Sequence, residues 1–250
     1  MTIKSRLTRR SLLIRTAAAG AVASLPALMS SPAHASSDDT AAARLAAKIR
    51  RLRKPDGRVL TGERSLNGWE MEKVADDRGS VYTRPVVGTP LAGVQMRMGD
   101  VETILVHLVR RFHYEVEELR AGDVTGWRAP TGERRPTAES NLASGTAVLI
   151  RPDHYPVGVR GNFFALQQLV IRDILAELDG VVRWGGDDRR PNEALFSIDV
   201  PPDDSHLALI ASRVRGWQDV AGRGAGGHVD VMARGRRSAA KIMEKRQRSD

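Results

Sequence analysis

The sequence predicts an α+β domain in which a small antiparallel sheet packs with helices, and three observations predict it. Short strand-like runs and amphipathic helical stripes follow one another without a regular βαβ alternation. Hydrophobic residues make up 41% of the 250-residue chain, enough to build one core of ordinary size. There is no cysteine, so that core is not stapled by disulfides, and thiolate metal sites and cysteine nucleophiles are excluded.

The chain opens on a targeting segment. Thr8-Arg9-Arg10-Ser11-Leu12-Leu13 is a twin-arginine pattern at the end of a positively charged stretch. A weakly apolar, Ala/Gly-rich run from Thr16 to Met29 follows, and Ala33-His34-Ala35 supplies a small-x-small cleavage site. Arg15, Gly20 and Pro26 interrupt the run, which falls short of the roughly 20 apolar residues of a membrane span. Residues 1–35 are therefore expected to be a twin-arginine signal peptide, and the rest an extracytoplasmic protein of the cell wall or one that is secreted.

Residues 36–75 read as a linker and a basic amphipathic helix. Ala41 to Lys54 places Leu45, Ile49 and Leu52 on one stripe among basic residues, and Pro55-Asp56-Gly57 stops it. The folded domain is expected from near Asn67-Gly68-Trp69 to Trp217. Val81 to Val87 and Val94 to Met98 read as short strands. A helix from Val101 to Phe112 carries apolar residues at 101, 104, 105, 108, 109 and 112, with Asp100 as its N-cap. His107 and His113 fall in this region and read as core or surface residues.

A second helix runs from Phe163 to Leu178, with Phe164, Leu166, Leu169, Val170, Ile174 and Leu178 as its stripe and Gly180 as its stop. Val181 to Trp184 and Leu195 to Val200 read as sheet strands, and a helix from Ser205 to Val214 follows. Residues 218–250 read as a Gly-rich linker and a solvated basic tail.

The net charge of +9 is concentrated at the ends. Residues 1–35 and residues 234–250 each carry +5, so the remainder is −1. A neutral body argues against a specific nucleic-acid interface, which requires a basic face on the fold itself. The basic tail leaves an anionic surface open as a partner.

Three stretches together carry a family resemblance. They are Ser140-Asn141-Leu142-Ala143-Ser144-Gly145-Thr146-Ala147-Val148-Leu149, then Tyr155-Pro156-Val157-Gly158, then Val182-Arg183-Trp184-Gly185-Gly186-Asp187 through Leu195-Phe196-Ser197-Ile198. Over roughly residues 76–217 they resemble the zinc D-alanyl-D-alanine carboxypeptidases and related peptidoglycan endopeptidases, with Gly145, Ala147, Trp184, Gly185, Gly186 and Asp187 in register. The resemblance implies a carboxypeptidase-like fold and a zinc held by His, Asp and His, with a carboxylate as general base. The first His position is Leu142, the Asp position Leu149, the second His position Leu195 and the base position Asn192. Glu193, one residue on, is expected to point to the opposite face.

Leucine has no lone pair, and an amide does not take a proton at neutral pH. The departures imply a catalytically silent relative without a metal or other cofactor. Such a domain would bind peptidoglycan stem peptides or a wall-associated partner, with Ser140, Asn141, Ser144, Arg183, Asp187 and Asp188 lining the cleft. The rival is an active peptidoglycan peptidase, of D-alanyl-D-alanine carboxypeptidase or endopeptidase type, that recruits other ligands. Asp153-His154, Asp187-Asp188 and Asp203-Asp204 are the candidate donors, and each also reads as turn or ion-pair residues. A third reading is a partner-binding exoprotein that uses the tail and the Ala41–Lys54 helix.

Overall fold

A computed structural model of the chain describes residues 57–132 and 136–249. The expected signal peptide and the Ala41–Lys54 helix lie outside these residues.

Among the described residues the architecture is α+β, with three small antiparallel sheets and their helices. A hairpin of β1 (Leu60–Arg64) and β2 (Glu70–Glu72) comes first. β3 (Val81–Arg84) then pairs antiparallel with β4 (Val94–Arg97). The central sheet holds β5 (Val124–Thr125), β6 (Ala147–Ile150), β7 (Val182–Trp184) and β8 (Leu195–Ile198) in the order β5-β6-β8-β7, all antiparallel. The helices are α1 (Asp100–Glu115), α2 (Ser140–Ala143), α3 (Ala165–Glu177), α4 (Ser205–Gln218) and α5 (Arg234–Ser249).

The pleat of the central sheet sorts its residues onto two faces. Val148 lies opposite Phe196, Phe196 opposite Trp184, and Ile198 opposite Val182. This face packs on the helices: Phe112 of α1 meets Phe196 edge-on at 6.1 Å, and the Arg172 guanidinium of α3 sits over Trp184 at 4.7 Å. The opposite face carries Thr125, Ala147, Leu149, Leu195, Ser197 and Arg183.

α1 buries Val101, Ile104, Leu105, Leu108, Val109 and Phe112, the stripe expected from its period. Its start differs from expectation. Gly99, at φ 91°, turns the chain into the helix, and Asp100 lies inside the first turn, where it pairs with Arg215 of α4 at 2.9 Å. α4 is capped by Asp204, whose carboxylate accepts from the His206 N–H at 2.7 Å.

The stripe of α3 also differs. Phe164 and Leu166 are 80% and 59% exposed, and the buried apolar residues of the helix are Val170, Ile171, Ile174 and Leu175. The helix begins only at Ala165, with Gln167 accepting from the Phe164 N–H at 2.9 Å, so its first turn stands clear of the core.

The described parts of both flanks, residues 57–75 and 218–249, are built into the domain. The β1–β2 turn holds the central sheet: Asn67 donates through Nδ2 to the Ile198 carbonyl and to Thr146 Oγ1, each at 2.8 Å. The Gly-rich segment is tied to α1 through Arg110, which donates to the Ala225 carbonyl at 3.2 Å.

The basic tail is not solvated chain, because residues 234–249 form α5, packed along α3. Ala240, Met243 and Gln247 are its buried residues. Gln247 Nε2 donates to the Val182 carbonyl at 2.6 Å, which covers part of the free edge of β7.

Candidate functional site

The site face of the central sheet is set by strand register. Leu149 of β6 lies directly opposite Leu195 of β8. α2, which carries Leu142, packs across these same two strands. Leu142, Leu149 and Leu195 are 2%, 4% and 1% exposed and belong to the main hydrophobic cluster. Burying each one stabilises the fold by roughly 1.5–3 kcal/mol, where a ligating side chain would have to be desolvated.

The glycines around this face have steric reasons. Gly145 sits at φ 68°, and a Cβ there would lie 2.7 Å from Val81 Cγ2 and 2.8 Å from the Arg97 nitrogen. A Cβ on Gly185 would lie 2.7 Å from the Asn192 carbonyl. The turn after β7 is thereby drawn onto the segment before β8: Asn192 N–H donates to the Gly185 carbonyl at 2.9 Å, and Trp184 Nε1 to the Glu193 carbonyl at 2.8 Å.

Asn192 is 4% exposed. Its Nδ2 lies 3.4 Å from Glu139 Oε1, and its Oδ1 is buried without a partner among the described residues. Glu193 turns away from Asn192 and holds a loop instead. Its carboxylate accepts from Gly161 N–H at 2.8 Å, Asn162 N–H at 3.0 Å and Asn162 Nδ2 at 2.8 Å. Three donors on a buried carboxylate explain its position without catalysis.

The six polar residues expected to line a cleft divide. Arg183, Asp188 and Asn141 border a recess of about 190 Å³ over Leu195, together with Asn67 and Ser197. Ser140 instead faces a larger groove of about 710 Å³ on the other side of α2, whose walls include Leu142, Met71, Arg64 and Arg128. Ser144 is fully buried, bonded to Ser65 Oγ at 3.0 Å and Thr146 Oγ1 at 2.8 Å.

Asp187 is also removed from the recess. It accepts both guanidinium arms of Arg172, and Arg248 of α5 reaches it at 3.1 Å. Asn67 and Ser197 were not among the expected lining residues. Ser197 follows Leu195 by two positions on one strand, a signal that the strand period carries. Asn67 is brought by the hairpin turn, and no local pattern announces it.

Arg183 is the cation of the recess, with its Nε on Asp188 at 3.0 Å. Burial works to lower its pKa, but the hydrogen bond and charge of Asp188, with Asp199 and Asp187 behind, more than offset this and hold it above its ordinary value. The recess thus presents the Arg183–Asp188 ion pair, the Asp199 carboxylate, a serine hydroxyl and two amides beside a dry leucine surface. That is a set for recognising a polar ligand by hydrogen bonds.

The residues at the inferred ligand positions do not fit a zinc ion, because three leucine side chains offer no donor atom. Among the described residues, no group of three or more His, Asp or Glu side chains is placed to hold a metal ion. Asp153 and His154 sit exposed in the turn that the Arg151 carbonyl closes on His154 N–H at 2.9 Å. Asp188 is paired with Arg183 and Asp204 caps α4. No protein-family model, curated protein or solved structure matches the chain.

Proposed function

We propose that the chain is an exported, catalytically silent relative of the cell-wall zinc peptidases that binds peptidoglycan stem peptides, or a wall partner presenting similar groups, in the recess beside Arg183. The observation that carries this reading is the opposition of Leu149 and Leu195 beneath α2, next to a polar recess. In its support, two of the three inferred metal positions face each other on paired strands, the third lies on the helix packed across those strands, and Asn141, Arg183 and Asp188 border the recess beside Leu195. Asn192 at the base position fits the same reading, since an amide moves no proton at neutral pH. Export by the twin-arginine route, with cleavage after Ala35, belongs to this proposal. Lysine at both Arg9 and Arg10 should then leave the protein in the cytoplasm, and undiminished export of that variant would refute the route.

The binding reading is tested by pull-down of the full chain on purified wall sacculi and by titration with soluble stem peptides. The double variant Arg183→Gln/Ser197→Val should bind about tenfold or more weakly, the effect of losing a charged hydrogen bond in a desolvated site. Equal binding by the variant, or no binding by the wild type, would refute the recess as the ligand site.

A further inference from the structure

We infer that the outward face of α5 is a docking surface for an anionic lipid bilayer. The inference is independent of what the recess binds. It begins with how the helix divides its cations. Those turned toward the domain are matched: Arg236 meets Asp173 at 2.7 and 2.6 Å, and Arg248 meets Asp187 at 3.1 Å and Glu244 at 2.9 Å. Arg234, Arg237, Lys241, Lys245 and Arg246 are exposed, and among the described residues none has an ion pair or a hydrogen bond from its side chain; Arg246 lies apart from the other four, over Gly180.

The spacing of Arg234, Arg237, Lys241 and Lys245 is directional. Ala240, Met243 and Gln247 mark the buried side of α5. At about 100° per residue, Arg234, Lys241 and Lys245 fall within roughly 40° of one another on the opposite side, along about 16 Å of helix. Arg237 flanks them. Ile242, 70% exposed, stands on the other shoulder. The sole acid of the helix, Glu244, is turned to Arg248 and Arg172. The chain between the two basic ends carries only −1, whereas residues 234–250 carry +5, so positive charge is concentrated on this segment.

The shape of the ridge selects the partner. A convex line of cations touches a flat anionic surface along its whole length, with Ile242 beside the charges to enter the apolar boundary. A polymer strand would need flanking walls to track it, and a single-stranded nucleic acid would need aromatic stacking residues, of which α5 has none. The helix is already held by Gln247 and the Arg236 pairs, so docking does not have to order it.

The test is co-sedimentation of the full chain with phosphatidylcholine vesicles, with and without a third of phosphatidylglycerol, across a salt series. Basic residues 44–54 are common to every variant, so differences between variants report the ridge. The wild type should partition onto the anionic vesicles alone, and less as salt rises. The triple variant Arg234→Ser/Lys241→Ser/Lys245→Ser should lose about fivefold in partitioning per cation removed.

Lys241→Arg/Lys245→Arg should bind as the wild type does. Ile242→Ser should weaken binding without changing its salt dependence. Unchanged melting temperatures verify that these exposed substitutions leave the fold intact. Equal binding by the triple variant, equal binding to pure phosphatidylcholine, or binding to soluble polyphosphate without binding to vesicles would each overturn the proposal.

Discussion

Leu149 and His107 show how single residues set conditions for the whole. Leu149 faces Leu195 across two strands with 4% exposure, so Leu149→Asp puts an unpaired carboxyl into a dry layer. The expected loss is about 3–5 kcal/mol in urea denaturation, partly relieved at acidic pH where the introduced carboxyl is protonated. His107 is buried by α1 and rests against Trp217, with ring centroids 5.5 Å apart. Burial, then the charges of Arg111 and Arg110, push its pKa down to about 3. Glu177 lies 3.9 Å from its Nε2 but does not reverse this, because that carboxylate already faces Arg111 and Arg236.

The folded state therefore keeps His107 neutral where the unfolded chain takes a proton. Stability should fall as pH drops from about 6.5 toward 3, by a few kcal/mol in total. A His107→Gln variant should flatten that part of the stability–pH curve. An unchanged slope would mean that other groups carry it.

At the scale of elements, the carboxylates of α3 and the cations of α1 and α5 form the main polar seam. Arg111 is fully buried and contacts Glu115, Asp173 and Glu177, while Arg236 shares the last two from the tail side. Burial tends to lower the Arg111 pKa, yet these three carboxylates hold it above its ordinary value. Arg111→Met should cost about 3–5 kcal/mol, because it strands buried carboxylates. Arg236→Met should cost less, since Arg236 is partly exposed and Arg111 still serves Asp173. Denaturant midpoints of the two variants give the comparison, and an equal or reversed order would contradict it.

This seam also explains what the sequence concealed. α1 and β8 were legible because their apolar periods report burial directly. α5 was not, because its docking depends on acids of α3 about sixty residues away, and a cationic helix with two buried apolar residues, Ala240 and Met243, reads as solvated. The β1–β2 hairpin was missed for the same reason. Its place is set by the Asn67 bonds to Thr146 and Ile198, not by any alternation in Leu60–Arg64.

At the scale of the whole molecule, the α+β class was legible, and half of the expected polar lining, Asn141, Arg183 and Asp188, borders the recess. Ser144 and Asp187 do not, because hydroxyl networks and guanidinium pairs claimed them first. On the proposed reading, a former zinc site has become core. It is connected to a detail that complicates reversal: Asn192 lies 3.4 Å from Glu139, so an Asn192→Asp change would set two carboxylates side by side. Leu142→His/Leu149→Asp/Leu195→His should gain zinc binding if the old geometry persists, and adding Asn192→Asp should restore turnover only when Glu139→Gln accompanies it.

The most direct test of the claim is the zinc stoichiometry of the purified wild-type chain, by elemental analysis after equilibration with micromolar zinc and dialysis. The chain should retain no stoichiometric zinc, because the three inferred ligand positions supply no donor atom. About one zinc per chain, retained through dialysis and removed by a chelator, would contradict it and put the active-peptidase reading in its place.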